Sequence, residues 1–150
     1  MLRLALVAAL ALTAPAVVLA DDDDDKPSFG AAGLLSGKNK ADLPPIILSA
    51  GEPISPTGPW ELTSGTYYEF EIQGDGSQEL TLVGPEFFRA IWIDEIVIND
   101  LEIRPLGLDS IEFDDEGTVE LGFVAIRPGQ YELRIAGARG DSQKVKITIQ

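Results

Sequence analysis

The hydrophobic positions of this chain fall into short runs of period two, and no segment carries a sustained helical period. Tyr68, Phe70 and Ile72 alternate with Glu69 and Glu71; Val119, Leu121 and Phe123 with Thr118 and Glu120; Val145, Ile147 and Ile149 with Lys144 and Lys146. Successive side chains of a strand point to opposite faces, so each run predicts a strand with one wet and one dry face. The same reading places further strands at 46–49, 60–62, 79–83, 89–98, 101–104, 110–113 and 131–136. Between them stand Gly51-Glu52-Pro53, Gly74-Asp75-Gly76, Gly84-Pro85, Glu116-Gly117, Pro128-Gly129 and Arg139-Gly140, residues that supply turn dihedrals others resist. Strands this short and this regularly punctuated predict an all-β domain over residues 46–150, an antiparallel Greek-key sandwich or barrel.

The segment from Phe87 to Ile98 does not alternate. Both of its faces are apolar, as a central strand requires, except at Arg89 and at the adjacent pair Asp94 and Glu95. Neighbours in a strand point opposite ways, so one of the two acids is expected to face a mostly apolar surface. A buried, unpaired carboxylate costs several kcal/mol, which predicts a partner: a cation, or a base such as Arg89, Arg104 or Arg127.

Ahead of the β pattern the chain changes character. Residues 1–20 carry one base, Arg3, then an apolar run from Leu4 to Leu19 with the small residues Val18 and Ala20 ahead of a cleavage position. This predicts a secretory signal peptide cleaved after Ala20, a periplasmic location, and no membrane insertion once it is removed. Residues 21–45 open with Asp21 to Asp25, continue in Gly, Ala, Ser and Lys, and close with Pro44-Pro45; without apolar periodicity they read as a flexible acidic arm.

Charge and inventory then narrow the chemistry. The 150 residues hold 25 acids against 11 bases, a formal net charge of −14, which repels nucleic acid and attracts cations. Histidine and cysteine are absent. Disulfides, Ser/His and Cys/His dyads and type 1 copper ligation therefore fall away, and no phosphate-binding glycine loop or cleft motif suggests an enzyme. Carboxylates remain, and they suit hard cations such as Ca²⁺, lanthanide(III) or Fe(III), which take six or more oxygen ligands. The best candidates cluster on and around the non-alternating strand: Glu86, Asp94, Glu95, Asp100 and Glu102. Asp109, Glu112, Asp114, Asp115 and Glu116 lie one hairpin further on, in an order that matches no EF-hand; the run from Asp114 to Gly117 reads as a solvated turn.

Gly65 before a strand, an Asp/Glu-bearing strand in mid-chain, and Arg127-Pro128-Gly129-Gln130-Tyr131 opening a late strand together resemble the cupredoxin-like fold. Blue-copper members place Cys, His and Met after that tyrosine, whereas here Glu132 to Ala138 contains none of them. Cupredoxin-like domains of periplasmic iron-uptake proteins are more similar, with carboxylates on the middle strands, where Asp94, Glu95, Asp100 and Glu102 stand here. The leader, small size and hard-ligand inventory also resemble the small periplasmic lanthanide-binding proteins of methylotrophic bacteria. That resemblance implies a metal carrier in uptake or trafficking, working with a periplasmic uptake component and pairing two chains around shared metal ions. The alternative is a metal-free β-sandwich interaction module that receives a partner protein at Phe87-Phe88 and Trp92 or along an open sheet edge.

Overall fold

The computed structural model of the chain describes residues 33–55 and 58–150; the expected signal peptide and the five-aspartate run lie outside the described residues. The strands are β1 (Lys40–Asp42), β2 (Ile46–Leu48), β3 (Trp60–Leu62), β4 (Tyr67–Gly74), β5 (Leu80–Val83), β6 (Ile91–Ile98), β7 (Leu101–Ile103), β8 (Ser110–Phe113), β9 (Gly117–Ala125), β10 (Gly129–Ile135) and β11 (Lys144–Ile149). A single turn of helix, α1 (Pro85–Phe88), separates β5 from β6. No helix among the described residues is long and apolar enough to cross a membrane.

Two sheets share these strands. The first runs β1-β4-β9-β6-β7, with β2 also paired to β4, and the second runs β3-β11-β10-β5-β8. Their facing sides form one core, as the alternation requires: Tyr68, Phe70 and Ile72 of β4, Leu121 and Phe123 of β9, and Val145, Ile147 and Ile149 of β11 are all buried. Trp60, Phe70, Phe123 and Phe87 stack edge to face in a continuous line, with centroid separations of 5.0, 6.0 and 5.5 Å. Fully burying a side chain of this size contributes roughly 1.5–3 kcal/mol, and no disulfide is needed to hold the sheets together.

Three features depart from the sequence pattern. The sheets are mixed, because β1 and β2 both run parallel to β4 and β3 runs parallel to β11. Strand β3 lies in the opposite sheet from β2 and β4, and this detour brings the chain back along β4 in the direction of β2. The first sheet also begins ahead of Ile46. Asn39 is buried and donates its amide to the carbonyls of Leu34 and Gly65, which fixes the entry to β1.

The third departure explains the non-alternating segment. Phe87 and Phe88 are helical: Pro85 opens α1 after Gly84, and both rings plug the core. Strand β6 starts only at Ile91, and its register against β9 breaks between Ile93, opposite Phe123, and Glu95, opposite Gly122. Asp94 is therefore the extra residue of a β-bulge. The bulge lets Ile93 and Ile96 both face the core although they are three positions apart, and it frees Asp94 and Glu95 from the strict alternation that would have sent one of them inward.

The Pro128-Gly129 turn into β10 is closed by Tyr131, whose hydroxyl donates to the Arg127 carbonyl at 2.9 Å. The ring covers Gly129 so closely that a Cβ there would meet the phenol oxygen at 2.7 Å, which accounts for the glycine.

Candidate functional site

The outer face of the first sheet collects most of the acids singled out in the sequence. Arg104, just past β7, reaches back across β6 and β7 and pairs with three of them: its Nη1 lies 3.1 Å from Asp94 Oδ1 and 3.3 Å from the Asp94 carbonyl oxygen, and its Nη2 lies 2.9 Å from Glu95 Oε2 and 3.1 Å from Glu102 Oε2. The bulge makes this possible, since it puts the Asp94 side chain and carbonyl within reach of one guanidinium. Desolvation works against the Arg104 charge, and attraction to Asp94, Glu95 and Glu102 outweighs it, so its pKa sits above the ordinary value. Of the five candidate ligands, the structure brings together Asp94, Glu95 and Glu102, around a protein cation. Asp100 occupies the β6–β7 turn with φ of 65°, beside Asn99 at 47°. Glu86 lies on α1 and lines a groove of 590 Å³ on the second sheet, with Glu61, Tyr131 and Lys146.

Further across the same face, Lys40 of β1 donates to Glu69 Oε2 of β4 at 2.6 Å. That hydrogen bond holds the Lys40 ammonium above its ordinary pKa, against desolvation. Glu120 of β9 has no such base of its own; burial, and then the Glu69 charge, push its carboxyl above the ordinary range. Between the two clamps stands Tyr67. Its ring points outward yet is 7 % exposed, because it lies over Gly122. Burial first, and then the charges of Asp94, Glu95, Glu69 and Glu120, drive its phenol well above the ordinary value. Lys40, Asp42, Glu69, Glu71 and Glu120 border a groove of 310 Å³ on this face.

A different set of acids stands on the second sheet with no base beside it. In the β5–β8 ladder Leu80 pairs with Phe113 and Thr81 with Glu112. Continued by one residue, that register sets Glu79 across from Asp114, on the side of the sheet shared with Thr81 and Glu112 and opposite to the buried Phe113. Glu79, Glu112 and Asp114 each bring a carboxylate oxygen within 4.8 Å of the other two, and all three residues are exposed. Among the described residues no Lys or Arg forms an ion pair with any of them; the hydroxyl of Thr81 donates to Glu112 Oε2 at 2.7 Å. Glu112 and Asp114 stood out in the sequence only as part of a general acidic density. Glu79 carried no signal, because its place beside Asp114 follows from a pairing between strands thirty residues apart.

No protein-family model matches the chain, and no curated protein matches it. Solved structures do. A laccase-like multicopper oxidase from Ochrobactrum sp. superposes with a TM-score of 0.54 at 8% identity, over 77% of this chain and 32% of that one. A multicopper oxidase from Pseudomonas thermotolerans does so with a TM-score of 0.50 at 14% identity, over 88% of this chain and 33% of that one. The fold is cupredoxin-like. The chain spans about a third of the length of the solved proteins it matches, and identities this low carry the fold alone. Within that cupredoxin-like sandwich, histidine and cysteine are absent from the whole sequence, so the donors here are oxygens.

Proposed function

We propose that this chain is a cupredoxin-like module that binds a hard metal cation through carboxylates, in an exported, non-enzymatic carrier role. The observation that carries this reading is the convergence of Glu79, Glu112 and Asp114, with no ion-paired base among the described residues. Three carboxylates held this close repel one another, and a di- or trivalent oxygen-seeking cation relieves that repulsion while water completes its shell. The solved neighbours are multicopper oxidases, and a chain without histidine or cysteine has nothing from which to build the nitrogen and sulfur sites that copper favours. Asp94, Glu95 and Glu102 form a second candidate set, which a cation reaches only by displacing Arg104. Glu86, on α1, and Asp100, in the β6–β7 turn, belong to neither set.

The test is the melting temperature of chelator-treated protein with Tb³⁺, Ca²⁺ or Fe(III) added. A cation bound only to the folded state at a hundred times its Kd stabilises by about 2.7 kcal/mol. The expected result is a saturable rise in Tm that Glu112→Gln with Asp114→Asn removes and Asp94→Asn with Glu95→Gln leaves in place. A Tm indifferent to all three ions ends the metal reading; loss of the effect only in the second variant moves the site to Arg104.

A further inference from the structure

The first sheet ends at β7. Asn99 and Asp100 both have positive φ, the signature of a two-residue type I′ turn, and the pairs Ile98–Leu101, Val97–Glu102 and Ile96–Ile103 follow from it. In such a hairpin the residues flanking the turn exchange hydrogen bonds and the next pair does not, so the N–H and C=O of Glu102 point away from β6 into open space. Among the described residues no loop backbone bonds to them. The side chains alternate accordingly. Leu101 and Ile103 lie on the core side with Ile96 and Ile98, but the second sheet does not cover them: Leu101 is 61 % exposed, Ile103 41 %, and Leu106 just beyond is fully exposed. Glu102 lies on the outer side with Glu95 and Asp94, where these carboxylates outnumber the one guanidinium, Arg104.

We propose that β7 is a docking edge that accepts an extended segment of another polypeptide as an added strand, with apolar residues flanking a lysine or arginine. Main-chain bonds to Glu102 supply the pairing. Leu101, Ile103 and Leu106 receive the apolar side chains, and the surplus negative charge around Glu102 receives the basic one. Charge argues against the two other occupants. The run Asp21 to Asp25 in the chain's own N-terminal segment is repelled by Glu102, Glu95 and Asp94. A second copy paired about Glu102 sets the two Glu102 side chains against each other, and pairing about Ile103 draws Arg104 away from Asp94 and Glu95.

The experiment is fluorescence anisotropy of a labelled seven-residue peptide of alternating lysine and valine titrated with the purified chain, with lysine–serine and glutamate–valine peptides as controls. The expected result is saturable binding of the lysine–valine peptide alone, with slowed hydrogen exchange at the Glu102 amide. Glu102→Pro removes an outward N–H together with the Glu102 carboxylate, without touching the β6 ladder, and it should weaken binding by at least about tenfold, the order expected for one hydrogen bond, and by more than Glu102→Gln, which keeps the N–H. Leu101→Ser with Leu106→Ser, at two exposed positions outside the buried core, should weaken binding as much. Equal binding of the lysine–serine peptide, unchanged affinity in both variants, or a dimer in sedimentation that Glu102→Pro dissociates would each overturn the proposal.

Discussion

The phenol of Tyr67 lies over the α-carbon of Gly122, its diagonal cross-strand neighbour two residues out of register, so that a single methyl group at position 122 would collide with its oxygen. Tyr67 faces the outer side of the first sheet and is nevertheless buried, and Gly122 is the residue that leaves room for its phenol.

Gly122→Ala is therefore expected to destabilise the protein by about 1–3 kcal/mol, the usual cost of overpacking. The clash is with the phenol oxygen first, so Tyr67→Phe in the Gly122→Ala background should recover part of the loss. Urea titrations of the two single variants and the double variant measure this coupling; strict additivity would show that the contact is not the cause.

The same burial makes stability sensitive to alkali. Tyr67 ionises near its ordinary value of 10.0 in the unfolded chain and well above it in the folded one. Between those two values the unfolded state has lost a proton that the folded state keeps, so stability falls as pH rises above 10, by at most about 1.4 kcal/mol per pH unit. Tyr67→Phe removes that slope. Melting temperatures of both proteins from pH 8 to 11 decide the matter; parallel curves would sink it.

Glu120 works in the opposite range. Its folded pKa is raised above 4.5 by burial and by Glu69, so its charge is a liability at neutral pH. Below pH 4.5 both states are protonated and the raised pKa favours the fold in full; that contribution disappears as pH rises through the folded value. Glu120→Gln is expected to raise Tm at pH 7 and to match the parent at pH 4. A variant less stable than the parent at pH 7 would instead assign the Glu120 carboxylate a favourable partner.

Arg104 holds Asp94, Glu95 and Glu102 together. Arg104→Ala should lower Tm in chelator, most at low salt, because three carboxylates then face one another without a counter-charge. Added Tb³⁺ should raise the melting temperature of this variant by more than it raises the parent's, because the ion takes the place of the guanidinium as well as any site the two proteins share, and calorimetry of both proteins with and without the ion reads the difference. A variant that melts as the parent does in chelator would mean that water screens these acids already.

Most of the strands could be read from the chain, because period-two alternation is local: Phe70 is buried and Glu71 exposed for the same reason that they are neighbours. The absence of histidine and cysteine likewise settled which donor atoms this protein can offer, since composition is independent of shape. What alternation could not carry was any place where the chain departs from a straight strand. The turn of helix at Phe87-Phe88 and the bulge at Asp94 both look, in sequence, like a strand apolar on two faces. Strand β1 left no trace at all, because Lys40-Ala41-Asp42 carries no large apolar residue to mark a face and its pairing with β4 is held in place by the buried Asn39. The meeting of Glu79 with Glu112 and Asp114, and of Arg104 with three acids, was decided by tertiary structure alone. Which charges face each other depends on register between strands distant in sequence, and register is set by how the two sheets close over their shared core.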